Sequence, residues 1–457
     1  MEKTDNTLTS DKLFAILTTL TNNFNFYIAY SGGLDSHVLL HVMSECVKKN
    51  PCWNIQALHI NHKLSPESDL WEQHCQCVCK SLKIPFQVER LKLAIFPGDS
   101  IEKIAREARY EVFCRVVQKD ENILTAHTQN DQAETFLLQL MRGAGVTGLS
   151  AMPIKKRLGA GYLLRLLLNF HRSALKNYAV RNCLRWVEDG MNSELRFNRN
   201  YLRHKTLPSL QERWPAVFSV ISRSANHCAE ANFLLNQLAD KDLLTIQIGM
   251  QLAVKLILRL TPPRQRNVLR RWISREGFSV PQTKQLEQIR KDVLKASRDA
   301  NPVFIYDNVK IRRYRDMLYL SYFSKNHDTN LHSTNLSISW DMQSVLILPN
   351  RLGVLKAVKR KGKGIKIKDV FFTHQVMVCF RKGGERCRPI GKKEHHTLKK
   401  LMQGWKIPVW QRSSIPLIYY NEQLVSVVGY CICEEFTVKD LEWGWVIKLE
   451  TYGKENR

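Results

Sequence analysis

A chain of 457 residues is too long for one hydrophobic core and divides into two or three domains. Its 44% hydrophobic content gives each domain an ordinary core, and the sequence has no run of about 18 apolar residues to span a membrane. A net charge of +27 calls for an anionic partner and excludes a chain that meets only neutral ligands.

The opening residues, Met1 to Thr9, are polar and carry no signal-type apolar stretch, so a cytoplasmic location is expected. Phe26 to Tyr30 is an apolar strand run. It leads into Ser31-Gly32-Gly33-Leu34-Asp35-Ser36 and a helix from about Ser36 to Lys48. Strands are predicted at Asn54 to Ile60, Phe86 to Leu93, Asn122 to Ala126 and Leu163 to Leu168. Between them lie helices at Pro66 to Leu82, from Ser100 to about Lys119, from near Asn130 and from His171. This alternation predicts an α/β fold with a Rossmann-like parallel sheet over residues 1–215.

Residues 216–330 read mainly as helix, for example Ala225 to Leu244 and Pro263 to Glu276, and 326–336 is polar enough for a linker. From 337 to 457 short β-type runs alternate with turns such as Gly383-Gly384 and Asn421-Glu422, a small mixed α+β domain. Charge divides unevenly along this plan. Residues 1–150 hold 15 Lys and Arg against 17 Asp and Glu, whereas residues 351–400 hold 16 against 3. The excess is therefore a footprint on the later domains, suited to a phosphodiester backbone, with Trp405 and Trp410 close to it. Twelve cysteines occur without paired C-x-x-C spacing, which reads as scattered reduced thiols.

A strand that ends in small and hydroxyl residues and enters a helix presents backbone amides to an anion. Gly32 and Gly33 allow close approach, and Ser31 and Ser36 add hydroxyls. Asp35 suits such a cradle only if it holds a cation, Mg²⁺, that bridges phosphates. An ordinary tight turn gives the same string, and the pattern is not that of a nucleotide-binding loop with an invariant lysine.

The string resembles the PP-loop ATP pyrophosphatases. Thr125-Ala126-His127-Thr128-Gln129-Asn130-Asp131-Gln132-Ala133-Glu134-Thr135 is similar to the second motif of the tRNA(Ile)-lysidine synthetases. Leu140-Met141-Arg142-Gly143-Ala144-Gly145, Trp186-x-Glu188-Asp189, Arg199-Asn200-x-x-Arg203, Arg381-Lys382-Gly383-Gly384-Glu385-Arg386 and Ile407-Pro408-x-Trp410-x-Arg412 continue the likeness in order. The resemblance implies a ligase that uses ATP and Mg²⁺. It would adenylate the C2 carbonyl of the wobble cytidine (position 34) in the CAU anticodon of an isoleucine tRNA. Free L-lysine would then displace AMP to form lysidine.

It further implies ATP contacts at Ser31, Gly32, Gly33, Leu34, Asp35, Ser36, His59 and Asn61, and catalytic roles for Asp35, Arg109 and Asp131. Mg²⁺ would sit on Asp35 and Asp131. Lysine would bind Asp131, Glu134, Arg199 and Arg203, and tRNA would meet Lys359, Arg360, Lys361, Lys363, Arg381, Lys382 and Arg386. Relatives carry Asp-Asp where this chain has Asn130-Asp131, and Arg-Pro-Leu where Arg165 begins Arg-Leu-Leu.

Structural readings stand beside these. Asp131 and Glu134, three apart in a first helical turn, also compensate a helix dipole. Arg109 can pair with Glu102 or Glu107, and Arg106 points outward into solvent. His59 and His62 can be strand-end structure, and Arg199 and Arg203 ordinary surface partners. The rival functions are a PP-loop tRNA thiolase, which needs a reactive cysteine pair, and a non-catalytic tRNA-binding protein. A membrane partner is not expected; a homodimer is compatible with the sequence.

Overall fold

In a computed structural model, residues 7–93, 101–188, 190, 194–297, 300–323, 336–349, 352–366 and 376–450 are described. Ser100, Asp189, Lys368, the linker at 326–335 and the Glu102 side chain lie outside that set. The chain divides into two compact units, Met1–Leu238 and Ala239–Arg457.

The first unit opens with α1 (Ser10–Leu20), capped by the Thr9 side chain on the Lys12 amide and buried through Leu13 and Leu17. β1 (Asn25–Ala29) turns Phe26 and Ile28 into the core. Then follow α2 (Leu34–Lys49), β2 (Asn54–Asn61), α3 (Ser68–Leu82), β3 (Phe86–Arg90), α4 (Ile101–Val116), β4 (Asn122–Leu124) and α5 (Gln129–Met141). The short α6 (Val146–Leu149) leads to β5 (Lys155–Leu158), β6 (Gly161–Leu164) and α7 (Arg172–Arg181).

The sheet order is β3-β2-β1-β4-β6-β5; β1 to β4 and β6 run parallel, and β5 returns antiparallel to β6. The predicted Rossmann-like α/β fold is present, with one strand that the sequence did not announce: β5 is Lys155-Lys156-Arg157-Leu158, too basic to read as strand. The chain leaves β1 on one side and comes back to β4 on the other. Loops after these two strands therefore face each other across a topological switch point, where open α/β sheets bind ligands.

In the second unit, residues 247–322 correct the mainly helical reading. Helices Val254–Leu258, Pro262–Arg275 and Thr283–Gln288 pack around Trp272, but five antiparallel strands accompany them, including Val303–Tyr306, Val309–Tyr314 and Met317–Tyr322. Their turns place Asp307 (φ +47) and Arg315 (φ +54) in the left-handed region without a glycine, so the usual turn signal is missing. The described residues of 337–450 form a five-stranded antiparallel sheet, a three-stranded sheet, a two-stranded ladder and two short helices, Leu398–Gly404 and Val409–Arg412.

Candidate active site

The loop after β1, expected to cradle an anion, is a tight turn held by its own serines. Ser36 Oγ donates to Gly33 O at 3.0 Å, the Ser31 amide donates to Ser36 Oγ at 3.2 Å, and the two serine hydroxyls lie 3.1 Å apart. Gly32 adopts φ +83, and a Cβ there would stand 2.9 Å from Cys75 Sγ and 3.0 Å from Val187 Cγ2. The Val187 amide donates to Gly32 O at 3.1 Å. This contact explains why a Trp186-x-Glu188 element belongs with the loop: it backs the turn. Leu34 opens α2 directly behind Gly33.

Asp35, in the first turn of α2, makes an ion pair with Arg172 Nε at 3.5 Å. The oxygen facing Arg172 is Oδ1, which is buried and otherwise without a hydrogen bond. Burial pushes the carboxyl up to about 6; Arg172 and Arg203 oppose the rise and Asp131 adds to it. A desolvated carboxylate oxygen whose one partner is a guanidinium 3.5 Å away, beside a helix start, is chemically suited to hold Mg²⁺.

Across the switch point, Thr128 caps α5. Asp131 Oδ2 accepts from the Thr128 amide (2.8 Å) and hydroxyl (2.9 Å) in a capping box. Its Oδ1 faces Arg199 (3.3 Å) and Arg203 (3.2 Å). Glu134, 1% exposed, takes Arg203 Nε on Oε1 at 2.6 Å and Arg199 Nε on Oε2 at 2.7 Å. The arginines come from α8 (Asn198–Tyr201) and the π-helical turn Leu202–Thr206, which put them one turn apart. The four predicted lysine ligands thus form one charge-balanced quartet. Burial alone would raise the Asp131 carboxyl, but Arg199, His127, the Thr128 amide and Arg203 outweigh it and hold it below the ordinary carboxylate range.

Asn130 Oδ1 accepts the Arg172 amide at 2.9 Å, so the residue that departs from the relatives' acid ties α5 to the start of α7. His59, 5% exposed, donates Nδ1–H to Tyr30 O at 2.9 Å. Asn61, expected to contact ATP, has protein partners here. Its amide donates to Asp69 (3.2 Å) and Glu72 (2.9 Å) and its oxygen accepts the Lys63 amide, which leaves it organising the β2–α3 loop.

Arg109 is exposed and acts on His62, whose pKa burial lowers to about 4. Arg106, read as pointing away, lies over the Tyr110 ring at 5.1 Å and acts on both His127 and Arg165. Arg165 is 3% exposed and donates to Pro153 O at 2.7 Å, with Nε buried and unbonded. Sequence reasoning undervalued Arg106 because helical position says which way a stem leaves, not where a long side chain ends, and Arg165 because its partner Pro153 lies in another loop.

Cys75 and Cys79 lie behind the cradle, and burial pushes each thiol up to about 12, too high for the reactive thiolate of a sulfur-transfer enzyme. Among the described residues no three His, Cys, Asp or Glu side chains form a metal cage.

In the second unit Lys359, Arg360 and Lys361 end the exposed strand Val354–Lys361, and Lys363 follows in its turn. Lys382 and Arg386 are exposed, whereas Arg381 pairs with Glu385 at 3.8 Å. Trp405 and Trp410 are half-buried against protein rings. Trp405 stacks on Tyr430 at 5.4 Å; Trp410 sits between Tyr314 and Tyr319 under Arg312.

The chain matches a PP-loop domain family over residues 6–210, a TilS substrate binding domain over 252–319 and a TilS substrate C-terminal domain over 376–449. It is 59% identical to a tRNA(Ile)-lysidine synthase of Coxiella burnetii over 97% of both chains. It is 38% identical to a synthase of that name from Methylococcus capsulatus over 88% of this chain and 91% of the relative.

Proposed function

The chain belongs to the tRNA(Ile)-lysidine synthase family, ATP-dependent ligases built on a PP-loop domain, and we propose how its own residues divide the formation of lysidine on tRNA(Ile). ATP lies with its β- and γ-phosphates on Ser31, Gly32, Gly33 and Ser36 and its α-phosphate toward Arg106 and Arg109. The C2 carbonyl oxygen of the wobble cytidine attacks the α-phosphorus, the α–β anhydride breaks, and pyrophosphate leaves onto the loop. Lysine's ε-amine then attacks C2, the C2–O bond breaks, AMP departs, and the amine loses a proton. Asp35 and Asp131 would hold Mg²⁺, which supplies charge neutralisation for the pyrophosphate.

The lysine site follows from the quartet. With its ε-amine deprotonated for attack, free lysine carries one α-ammonium and one carboxylate, so it can exchange into a pre-paired set of two acids and two guanidiniums without leaving a charge uncompensated. Its carboxylate takes Arg199 and Arg203 while its amine is positioned by Asp131 and Glu134. Lys359, Arg360, Lys361, Lys363, Lys382 and Arg386 supply the phosphate footprint for tRNA.

The observation that carries this reading is Asp35: a buried carboxylate oxygen beside the loop after β1, met by Arg172 at 3.5 Å and by no closer donor, with Asp131 near enough to raise its pKa. The test incubates the protein with ATP, Mg²⁺, radiolabelled lysine and an isoleucine tRNA bearing CAU. Lysine incorporation matched by AMP and pyrophosphate is expected. Pyrophosphate release with sulfur incorporation from a donor system, and none of lysine, would overturn it.

A further inference from the structure

Strand Val354–Lys361 pairs antiparallel with strand Trp443–Glu450, and the register puts Leu355 opposite Leu449, Ala357 opposite Ile447, Lys359 opposite Trp445 and Lys361 opposite Trp443. These residues share one face, since alternate residues of a ladder do. Along it the character changes. Leu355 is buried in the local core, Ala357, Ile447 and Trp445 pack against that core, and Trp443 at the far end is 65% exposed.

The opposite face at this end is closed. A Cβ on Gly444 would meet Lys363 O at 2.7 Å, and along the strand's outer edge Ile365 and Trp445 exchange both backbone hydrogen bonds (2.9 and 3.0 Å). The indole of Trp443 therefore stands on a ribbon held from behind.

Cations surround it. Lys359 Nζ lies 5.1 Å over the Trp445 ring. Arg360, Lys361 and Lys363 are exposed, and among the described residues none of the four has a carboxylate partner. The neighbouring acid, Glu442, is turned to Lys366 and to the Lys439 amide. An exposed aromatic plane beside unpaired cations matches the chemistry of an unpaired nucleotide, whose base stacks while its phosphates meet the lysines.

We propose that Trp443 is a stacking platform for an unpaired base of the bound tRNA, with Lys359 and Lys361 on the flanking phosphates. This rests on the reading that the chain binds tRNA.

The experiment measures affinity of the full chain for the isoleucine tRNA against salt, for wild type, Trp443→Phe, Trp443→Ala and Lys361→Gln. Trp443→Ala should weaken binding roughly 5- to 100-fold at an unchanged salt slope. Trp443→Phe should stay within about threefold of wild type, since it retains an aromatic face. Lys361→Gln should reduce the slope by about one. Thermal melting and ATP affinity verify that each variant is folded.

Wild-type affinity in Trp443→Ala would overturn the proposal. So would equal loss toward a blunt RNA duplex without unpaired bases, or a wild-type dimer that Trp443→Ala dissociates. If the wild type itself fails to bind tRNA, the functional reading falls and the platform with it.

Discussion

Gly32 lies against Cys75 so closely that a Cβ on the glycine would stand 2.9 Å from the thiol sulfur. The loop's conformation is thus set from below, by α3, as well as by its own positive φ. Gly32→Ala combines left-handed strain, on the order of 1–2 kcal/mol, with a steric conflict. We expect at least a tenfold loss of ATP affinity by calorimetry with the fold retained by circular dichroism. An alanine variant that binds ATP normally would show that the cradle is not held in this shape.

Asp35 is held in its charged form against the preference of its surroundings. At pH 7 a carboxyl raised from 3.8 to about 6 opposes folding, by ~1–3 kcal/mol. Asp35→Asn should therefore melt higher than the wild type while losing ATP-dependent lysine incorporation by 10²-fold or more. A lower melting temperature would count against a functional cost at this position.

Glu134 is the most buried member of the quartet and binds both guanidiniums. Glu134→Ala strands Arg199 and Arg203 with Asp131 alone and should destabilise the first unit by ~2–4 kcal/mol, the arginines' partial exposure moderating the usual figure. Glu134→Gln, which keeps part of the hydrogen bonding, should fold better yet raise the KM for lysine. If KM is unmoved in the glutamine variant, the quartet is structural.

Burial lowers His37 and His62 to about 4 and His127 to about 3, so each is neutral in the fold where the unfolded chain already protonates near 6.5. Stability is fully present above 6.5 and is lost as pH falls from there toward 4. Asp35 acts oppositely between about 6 and 3.8, against these three and the likewise lowered His41, His59 and His171. Urea midpoints should thus drop between pH 7 and 5, and His37→Gln should flatten the drop. A midpoint constant over that range would refute it.

What could be read from the residues follows a physical division. The strand–loop–helix at Phe26 to Ser36 and the capped start of α5 are local, set by glycine, hydroxyl and carboxylate chemistry within a few residues. Orientation across elements was not legible. Asn61 and Asn130 look alike in a string, yet one braces the β2–α3 loop and the other holds a helix start 42 residues away. Trp405 and Trp410 drew attention for their basic surroundings, but each packs on a protein ring, and the most exposed indole among the described residues of the second unit is Trp443. The antiparallel strands at 303–322 escaped because Asp307 and Arg315 turn the chain where glycine was awaited.

The hydrogen bond from the Arg172 amide to Asn130 joins two helix starts that carry opposite sides of the site: α5 presents Asp131, and α7 presents the Arg172 that meets Asp35. Fraying either helix alone would break the shared bond. The two first turns should consequently open as a single cooperative unit, with matched protection in amide hydrogen exchange. The neutral side chain at position 130 thereby converts two independently breathing helix ends into one hinge-free wall.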